Sequence, residues 1–533
     1  MRRHRGWLRA ALLAVAVVAG VSSCGKKHEH AARQPAPVAP AAQAPQPVFS
    51  VLASSEVRDI EPALLQAAHS AGVPLALSYA GTLDIVERVN AGERFDAILP
   101  ANGAYPALAL TAKPVARDKL FYSRVAIGTK PATVKALGWE GRSPSWADIA
   151  KAAGAGQLRY AMTNPASSNT GMSALFAVAS AVAGKTEDLT VQDVNGPVLT
   201  AFLSGQKLTA GSSGWLAEAF VKEAAGLDAM VNYEAVILRT NDKLAPADRL
   251  MLVYPQDGVI SADYPLMLLN ADKRDEYTRL LAAIKAVPVQ RDLAARDFLR
   301  PSVADVPLAP ALGTATVAEL SFPNRLEVID AVLGSYQGQW RRPATSIFVL
   351  DLSGSMEGER LRAMRDALKV LAGADARVAS ARYARFQSRE RVALIAFSDR
   401  VDEPVEISFE TQALDAARAQ VLSYADGLRV RGGTAIYAAL LRAEELARQE
   451  LRKDPGRAVS IVLLTDGENN VGPDLKLFQQ ELGGGAPARV FPILFGEASP
   501  ADMAALAQYT GGRMFDGRKA ALAQVFKEIR GYQ

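Results

Sequence analysis

Three short segments of the chain carry oxygen-bearing side chains at spacings suited to holding a cation. Asp351-Leu352-Ser353-Gly354-Ser355 ends an apolar run at 346–350, Gly432-Gly433-Thr434 opens a long helical pattern, and Leu463-Leu464-Thr465-Asp466-Gly467 ends a second apolar run. The side chains of Asp351, Ser353 and Ser355 converge only where the chain turns sharply. Such a turn is expected at the carboxyl edge of a parallel strand, where α/β folds bind ligands. Thr434 and Asp466 complete a set of three hydroxyls and two carboxylates, which is a site for a hard cation. Oxygen-only ligation with few net charges suits Mg²⁺ or Mn²⁺, which accept octahedral geometry and keep waters, better than Zn²⁺.

This constellation resembles the metal-ion-dependent adhesion site of the von Willebrand factor A family, over residues 343–533. All five family positions are present. The resemblance implies that Ser353, Ser355 and Thr434 ligate the ion directly, while Asp351 and Asp466 act directly or through water. The under-neutralised ion then keeps an open position for an acidic side chain of a protein partner.

A second group of polar residues, Ser54, Ser55, Ser168, Asn169 and Thr170, stands where strands feed helix N-termini. Hydroxyls and free N–H groups there can hydrogen-bond an anion without a full positive charge, and they can equally serve as ordinary helix caps. Glu56, in the first turn, already satisfies the helix dipole and repels a bound oxyanion, which points to a zwitterionic or neutral polar solute. The surrounding text resembles the two-lobed bacterial extracellular solute-binding proteins, in particular the group related to molybdate and sulfate binders. The matching features are Ala53-Ser54-Ser55, Phe95-Asp96-Ala97-Ile98, Thr163-Asn164-Pro165 with 167–171, Tyr254-Pro255, Asp257-Gly258 and Asp263-Tyr264-Pro265.

The elements that must position these residues follow from hydrophobic patterning. Strand patterns at 48–53, 75–79 and 95–99 alternate with helical patterns at 56–69 and after Thr82, a βαβαβ signature that predicts a parallel sheet covered by helices on both faces. A second lobe is predicted from a strand at 158–162, a helix at 171–183, a strand near Leu208 and a helix after Ser213. Extended stretches at 120–129 and 250–269 cross between the lobes and make a hinged cleft. Proline-rich text after Arg300 and a helical pattern at 324–336 mark a boundary. Beyond it, strands at 346–350, 391–397, 459–464 and 490–495 predict a doubly wound sheet. The expected fold class is therefore α/β, a two-lobed solute-binding-protein-like domain at 48–322, a linker helix at 323–342 and a Rossmann-like domain at 343–533.

Composition restricts function further. Of the 60 Lys and Arg, four fall in the first 23 residues, which hold no acid, so the remaining 56 face 56 Asp and Glu and give no basic surplus for nucleic acid. Those 23 residues, with Arg2, Arg3, Arg5 and Arg9 ahead of a twelve-residue apolar run, read as a signal peptide. Val21-Ser22-Ser23-Cys24 resembles a bacterial lipobox, which implies acylation of Cys24, the only cysteine, and a lipid-anchored chain on the periplasmic or extracellular face of a membrane. Residues 24–47 form a Pro/Ala-rich tether that in polyproline geometry, at ~3.1 Å per residue, spans roughly 70 Å. With only His4, His28, His30 and His69 available, no Ser-His-Asp or Cys-His pair can be assembled. The reading is a non-enzymatic, membrane-anchored binding protein that couples solute sensing to recognition of a protein partner; the alternative is the receptor of an ABC transporter for an oxyanion or small polar solute.

All targeting information converges on Cys24. Cys24→Ser is expected to move the protein out of the detergent phase in a partitioning assay, and unchanged partitioning would rule out the lipid anchor.

Overall fold

The computed structural model describes residues 48–313, 316–374, 383–518 and 522–532, so the signal segment, Cys24 and the tether lie outside the described residues. Three parallel strands open the first lobe: β1 (Phe49–Ser54), β2 (Leu75–Ala80) and β3 (Ala97–Leu99). β3 is buried throughout and β1 nearly so, as strands covered on both faces must be, whereas β2 alternates along the sheet's edge. After β4 (Ala116–Lys119) the chain crosses on β5 (Phe121–Thr129) into the second lobe, which holds β6 (Tyr160–Thr163), β7 (Gln206–Ala210) and β8 (Ala229–Tyr233). It returns through β9 (Met251–Val253), β10 (Ser261–Ala262) and β11 (Pro265–Leu268), and β12 (Arg300–Pro301) pairs back onto β5.

The first sheet runs β2-β1-β3-β11-β4 and the second β10-β5-β8-β6-β7. The βαβαβ pattern is present in β1 to β3, but the first sheet is mixed, not parallel. β11 lies antiparallel to both β3 and β4, because a strand returning from the other lobe enters the sheet from its opposite end. The helix expected over 56–69 begins at Glu61. Pro62 fits the first turn of a helix and not its interior, so residues Ser55–Ile60 form a separate 3₁₀ turn.

The third sheet has the order β15-β14-β13-β16-β17-β18, from β13 (Ala344–Asp351), β14 (Glu390–Phe397), β15 (Val405–Phe409), β16 (Ala458–Thr465), β17 (Arg489–Leu494) and β18 (Phe515–Asp516). β13 is buried along its whole length and pairs in parallel with β14 on one side and β16 on the other. Alternate residues feed two cores. Phe348, Leu350, Leu394 and Leu464 pack under the helices Glu359–Leu371, Leu414–Gly427 and Leu522–Arg530, while Ile347, Val349, Ile395 and Leu463 pack under Ile436–Lys453. The antiparallel edge strand β15 was not anticipated; its exposed face dilutes the apolar signal.

The joint between the two halves is itself packed. Val328, Ile329, Val332 and Leu333 of the helix Leu326–Ser335 join the apolar cluster of the lobes, and Phe322 meets Phe176 edge-on at 5.3 Å. A π turn, Tyr336–Trp340, then delivers Arg341 to a buried ion cluster. Glu390 Oε1 accepts from Arg341 Nη2 and, at 2.6 Å, from Arg530 Nη2. Glu390, Arg341 and Arg530 are only 2%, 8% and 6% exposed. Burial pushes both arginines down to about 10, which leaves them charged at neutral pH.

One carboxylate thus serves two buried guanidiniums. Glu390→Ala is expected to destabilise the chain by about 3–5 kcal/mol, the usual cost of stranding a buried charge. Glu390→Gln, which retains an acceptor, should cost less; urea unfolding at pH 7 orders the two.

Candidate metal centre and interlobe cleft

Leu350 of β13 stands opposite Leu464 of β16, so the two strands deliver Asp351 and Thr465-Asp466 side by side at the carboxyl edge of the third sheet. Successive connections leave β13 toward β14 and β16 toward β17, which makes this edge the topological switch point where open α/β sheets bind ligands. Asp351 and Asp466 are 0% and 1% exposed. Past Asp351 the chain turns at once, and Ser353 N donates to Asp351 Oδ1 at 2.7 Å. Thr465 Oγ1 donates to the other carboxylate oxygen at 2.6 Å. Ser355 Oγ lies 3.1 Å from Ser353 Oγ and donates to Asp466 Oδ1 at 2.7 Å. Thr434 is clamped by Asn470, whose Oδ1 accepts from Thr434 N at 2.8 Å and whose N donates to the Thr434 carbonyl at 3.0 Å. A methyl group on Gly467 would sit 3.6 Å from Thr434 Oγ1 and 3.7 Å from Ser355 Oγ, so both hydroxyls face one small space. The five residues singled out in the sequence are brought together.

Two participants were missed. Asn470 positions Thr434, and Arg360 pairs with Asp466 through Nη1 and Oδ2 while the same nitrogen donates to the Ser355 carbonyl at 3.2 Å. Gly496, at φ +59, keeps room for that pair, since a Cβ there would lie 2.9 Å from Arg360 Cζ. Burial pushes Asp351 above the ordinary carboxylate range, with the nearby Asp466 charge adding to it and hydrogen bonds from Thr465 and Ser353 offsetting it. Two desolvated carboxylates with one guanidinium leave negative charge uncompensated, which fits a hard divalent cation. Among the described residues no group of three or more His, Cys, Asp or Glu is placed to hold a metal, so the hydroxyls are indispensable to any such site.

The other candidate residues lie in the cleft, and the cleft is shut. Ser54 and Ser168 precede helical turns without capping them. Ser54 Oγ accepts instead from Ala101 N at 2.8 Å. Ser55 Oγ donates to Glu56 at 3.4 Å, Asn169 Nδ2 donates to Tyr233 Oη at 2.9 Å, and the Thr170 and Ser213 hydroxyls bond to each other. All five predicted residues are at most 5% exposed. Backbone meets backbone across the lobes. A Cβ on Gly81 would lie 2.4 Å from the Ser167 carbonyl oxygen, and one on Gly214 would lie 3.4 Å from that of Ser55. A hollow of about 40 Å³ remains at the mouth, room for a water and not for a solute. In the facing segments Thr82 Oγ1, Asn169 Oδ1 and Ser212 Oγ are buried with no hydrogen-bond partner among the described residues. Each unmade bond costs about 1–3 kcal/mol, so this is a surface with unmet demand for a polar ligand.

Glu56 and two tyrosines bridge the lobes. Tyr264 Oη donates to Glu56 Oε1 at 3.2 Å, and its ring meets that of Tyr233 at 5.9 Å. Tyr264 adopts φ +30 just before Pro265 begins β11, a conformation that costs a non-glycine residue about 1–3 kcal/mol. The strain sits in the crossover that returns the chain from the second lobe to the first.

The C-terminal domain covers the mouth. Lys527 pairs with Glu87 of the first lobe at 3.4 Å, while Asn164 Nδ2 of the second lobe donates to the Arg530 carbonyl at 3.4 Å. Gly531 approaches Gly211 so closely that a Cβ on it would lie 2.6 Å from Gly211 Cα. Tyr532 stacks 6.5 Å from Trp215, whose ring also carries the Arg513 guanidinium at 4.0 Å, and Arg489 pairs with Glu223.

A family model for bacterial extracellular solute-binding proteins matches residues 51–294, and one for the von Willebrand factor type A domain matches 346–468. The chain therefore carries a solute-binding domain followed by a von Willebrand factor type A domain. Over 133 residues it is 32% identical to the inter-alpha-trypsin inhibitor heavy chain H4 of Sus scrofa, and over 142 residues 32% identical to that of Homo sapiens. These matches cover 24% and 26% of this chain and only 13% and 14% of those proteins. Among solved structures, the ferric binding protein from Campylobacter jejuni aligns with 54% of this chain and 95% of its own at 14% identity and TM-score 0.41. A von Willebrand factor type A protein from Catenulispora acidiphila aligns with 36% and 42% at 20% identity and TM-score 0.28.

Burial raises the Glu56 carboxyl to about 7, against opposing contributions from Tyr264 and Arg239 and with Asp59 adding to the rise. Folded protein therefore binds this proton more tightly than unfolded chain does. The contribution of Glu56 to stability is fully present below the ordinary carboxylate range and is lost as pH rises through about 7. Glu444 and Glu528 are raised to about 7 as well, so the informative quantity is the difference between wild type and Glu56→Gln. The variant should gain on wild type in urea midpoint between pH 5 and pH 8; parallel profiles would show that Glu56 is not buried as described.

Proposed function

We propose that the protein is a lipid-anchored, extracytoplasmic, non-enzymatic binding protein in which a metal-dependent partner-binding domain is coupled to a solute cleft. One observation carries this reading: the segment Leu522–Tyr532 contacts both lobes at the mouth of the closed cleft, so the lobes cannot separate without breaking its contacts. A solute that opens or reorganises the cleft acts, on this reading, on the seating of the C-terminal domain. The unpartnered Thr82, Asn169 and Ser212 atoms, beside the buried Glu56, favour a neutral or zwitterionic polar solute over a multiply charged oxyanion.

At the other end of that domain, Mg²⁺ or Mn²⁺ would be held by the hydroxyls of Ser353, Ser355 and Thr434 and the carboxylates of Asp351 and Asp466, and would supply a Lewis-acidic position for a partner's carboxylate. Arg360 holds Asp466 in place and compensates part of its charge, while Asn470 fixes Thr434 and Thr465 orients Asp351.

Calorimetry of the full chain with Mn²⁺ tests the metal half. Wild type should bind at micromolar to millimolar concentration, and Asp351→Ala or Thr434→Ala should weaken binding at least tenfold without change in circular dichroism. Hydrogen exchange tests the coupling. Trp215→Ala, which removes the platform for Tyr532 and Arg513, should raise exchange in both Ser213–Glu223 and Leu522–Arg530; a rise confined to the first helix would overturn the coupling and leave the metal assignment standing.

A further inference from the structure

A cavity of about 390 Å³ opens between the second lobe and the C-terminal domain, lined by none of the candidate metal residues and none of the five predicted cleft residues, though it shares Tyr532 and the Arg489–Glu223 pair with the contacts that cover the mouth. Its lining is strongly one-sided in charge. Lys207, Arg341, Arg342, Arg457 and Arg489 face it, against the single carboxylate of Glu223. Three of the five cations have acidic partners: Arg489 pairs with Glu223, Arg341 with Glu390, and Arg457 with Asp454 at 3.4 Å. The other two do not. Lys207 Nζ donates to the Ser204 carbonyl at 2.8 Å, and Arg342 donates to the carbonyls of Gly456 at 2.7 Å and Arg457 at 3.3 Å. Among the described residues neither has a carboxylate within ion-pair distance. Arg457, only 9% exposed, makes its pair with Asp454 through Nε, at a distance and angle that fall short of a hydrogen bond.

The cations come from both halves of the chain. Lys207 lies on β7 of the second lobe, Arg342 on the joint before β13, and Arg489 on β17. Loss of water, then the nearby charges of Arg342 and Arg159, hold Lys207 below the ordinary lysine value; Arg342 is lowered by burial first, with the Asp454 charge opposing and Arg489 adding to the fall. Like charges are therefore gathered around a hollow whose own lining holds a single carboxylate and in which Lys207 and Arg342 have none as an ion-pair partner. That arrangement disfavours the empty cavity and favours any dense anion that enters it. Arginine forks bind tetrahedral oxyanions bidentately, and lysine adds a point charge.

We propose that this cavity is a binding site for a polyvalent oxyanion of the phosphate class, which ties the second lobe to the C-terminal domain. The volume exceeds what a single phosphate fills, so diphosphate-sized anions are accommodated as well. Bound anion adds a charged link beside the Arg489–Glu223 pair and stabilises the docked arrangement of the two halves.

The test uses the full chain in detergent, with EDTA present to remove any metal-borne route and with inorganic phosphate and pyrophosphate as probes. Pyrophosphate should bind more tightly than phosphate, raise the thermal midpoint, and lose affinity as NaCl is added. Lys207→Glu, at an exposed position where folding is not at risk, should weaken pyrophosphate binding at least tenfold, whereas Ser55→Ala in the cleft should leave it unchanged. Pyrophosphate should also protect Lys207 from acetylation by acetic anhydride. No binding by wild type at millimolar probe and low salt, equal binding by Lys207→Glu, or loss of binding in Ser55→Ala would each overturn the proposal.

Discussion

The seating of the C-terminal domain against the lobes depends on one buried carboxylate. Glu390 receives Arg341, which ends the joint from the lobes, and Arg530, which ends the last described helix. The Arg530 backbone carbonyl in turn receives Asn164 from the second lobe. Desolvating three charges is costly, and such a cluster contributes less to stability than well-packed apolar residues of the same volume. Its effect is on register. Neither guanidinium can leave without stranding a charge, so the joint, the start of β14 and the terminal helix hold one arrangement, and the latter carries Lys527 and Tyr532 to the cleft mouth.

The lobes obey a different constraint, the absence of side chains. Gly81 and Gly214 let backbone touch backbone across the cleft, and Gly211 and Gly531 do the same between the second lobe and the C-terminal domain. Contacts of this kind bury little apolar area and leave hydroxyl and amide groups unsatisfied, as Thr82, Asn169 and Ser212 show. An interface built from glycine and orphaned polar atoms is shape-complementary yet weakly held.

What the sequence disclosed and what it withheld follow the range of the interactions concerned. The convergence of Asp351, Ser353, Ser355 and Asp466 was legible because each lies within a few positions of a strand end, and an apolar run followed by Asp351-x-Ser353-x-Ser355 or Thr465-Asp466-Gly467 encodes both the strand and its turn. The strands β1, β5, β6, β13, β14, β16 and β17 were legible for the same local reason. Arg360 and Asn470 were not, because an arginine in a polar helical stretch and an asparagine in a loop look like solvated surface until the fold sets them beside Asp466 and Thr434. The cleft was half legible: its residues were identified, and nothing local revealed that the lobes close on one another or that a distant helix covers the mouth. The basic cavity was invisible for the opposite reason, since its cations are scattered over nearly three hundred positions in a chain whose charges cancel overall.

The contacts that seal the mouth carry a consequence for how the molecule is made. Asn164 and Arg530 are separated by 366 residues, and Glu87 and Lys527 by 440. Pairings that distant form last, because the intervening loop must be ordered before they return any energy. During synthesis and export the two lobes therefore exist for a time without their cover, with the hydroxyls of the cleft open to whatever solutes surround them. The cleft is thus accessible before the fold is complete and covered once the terminal helix has docked.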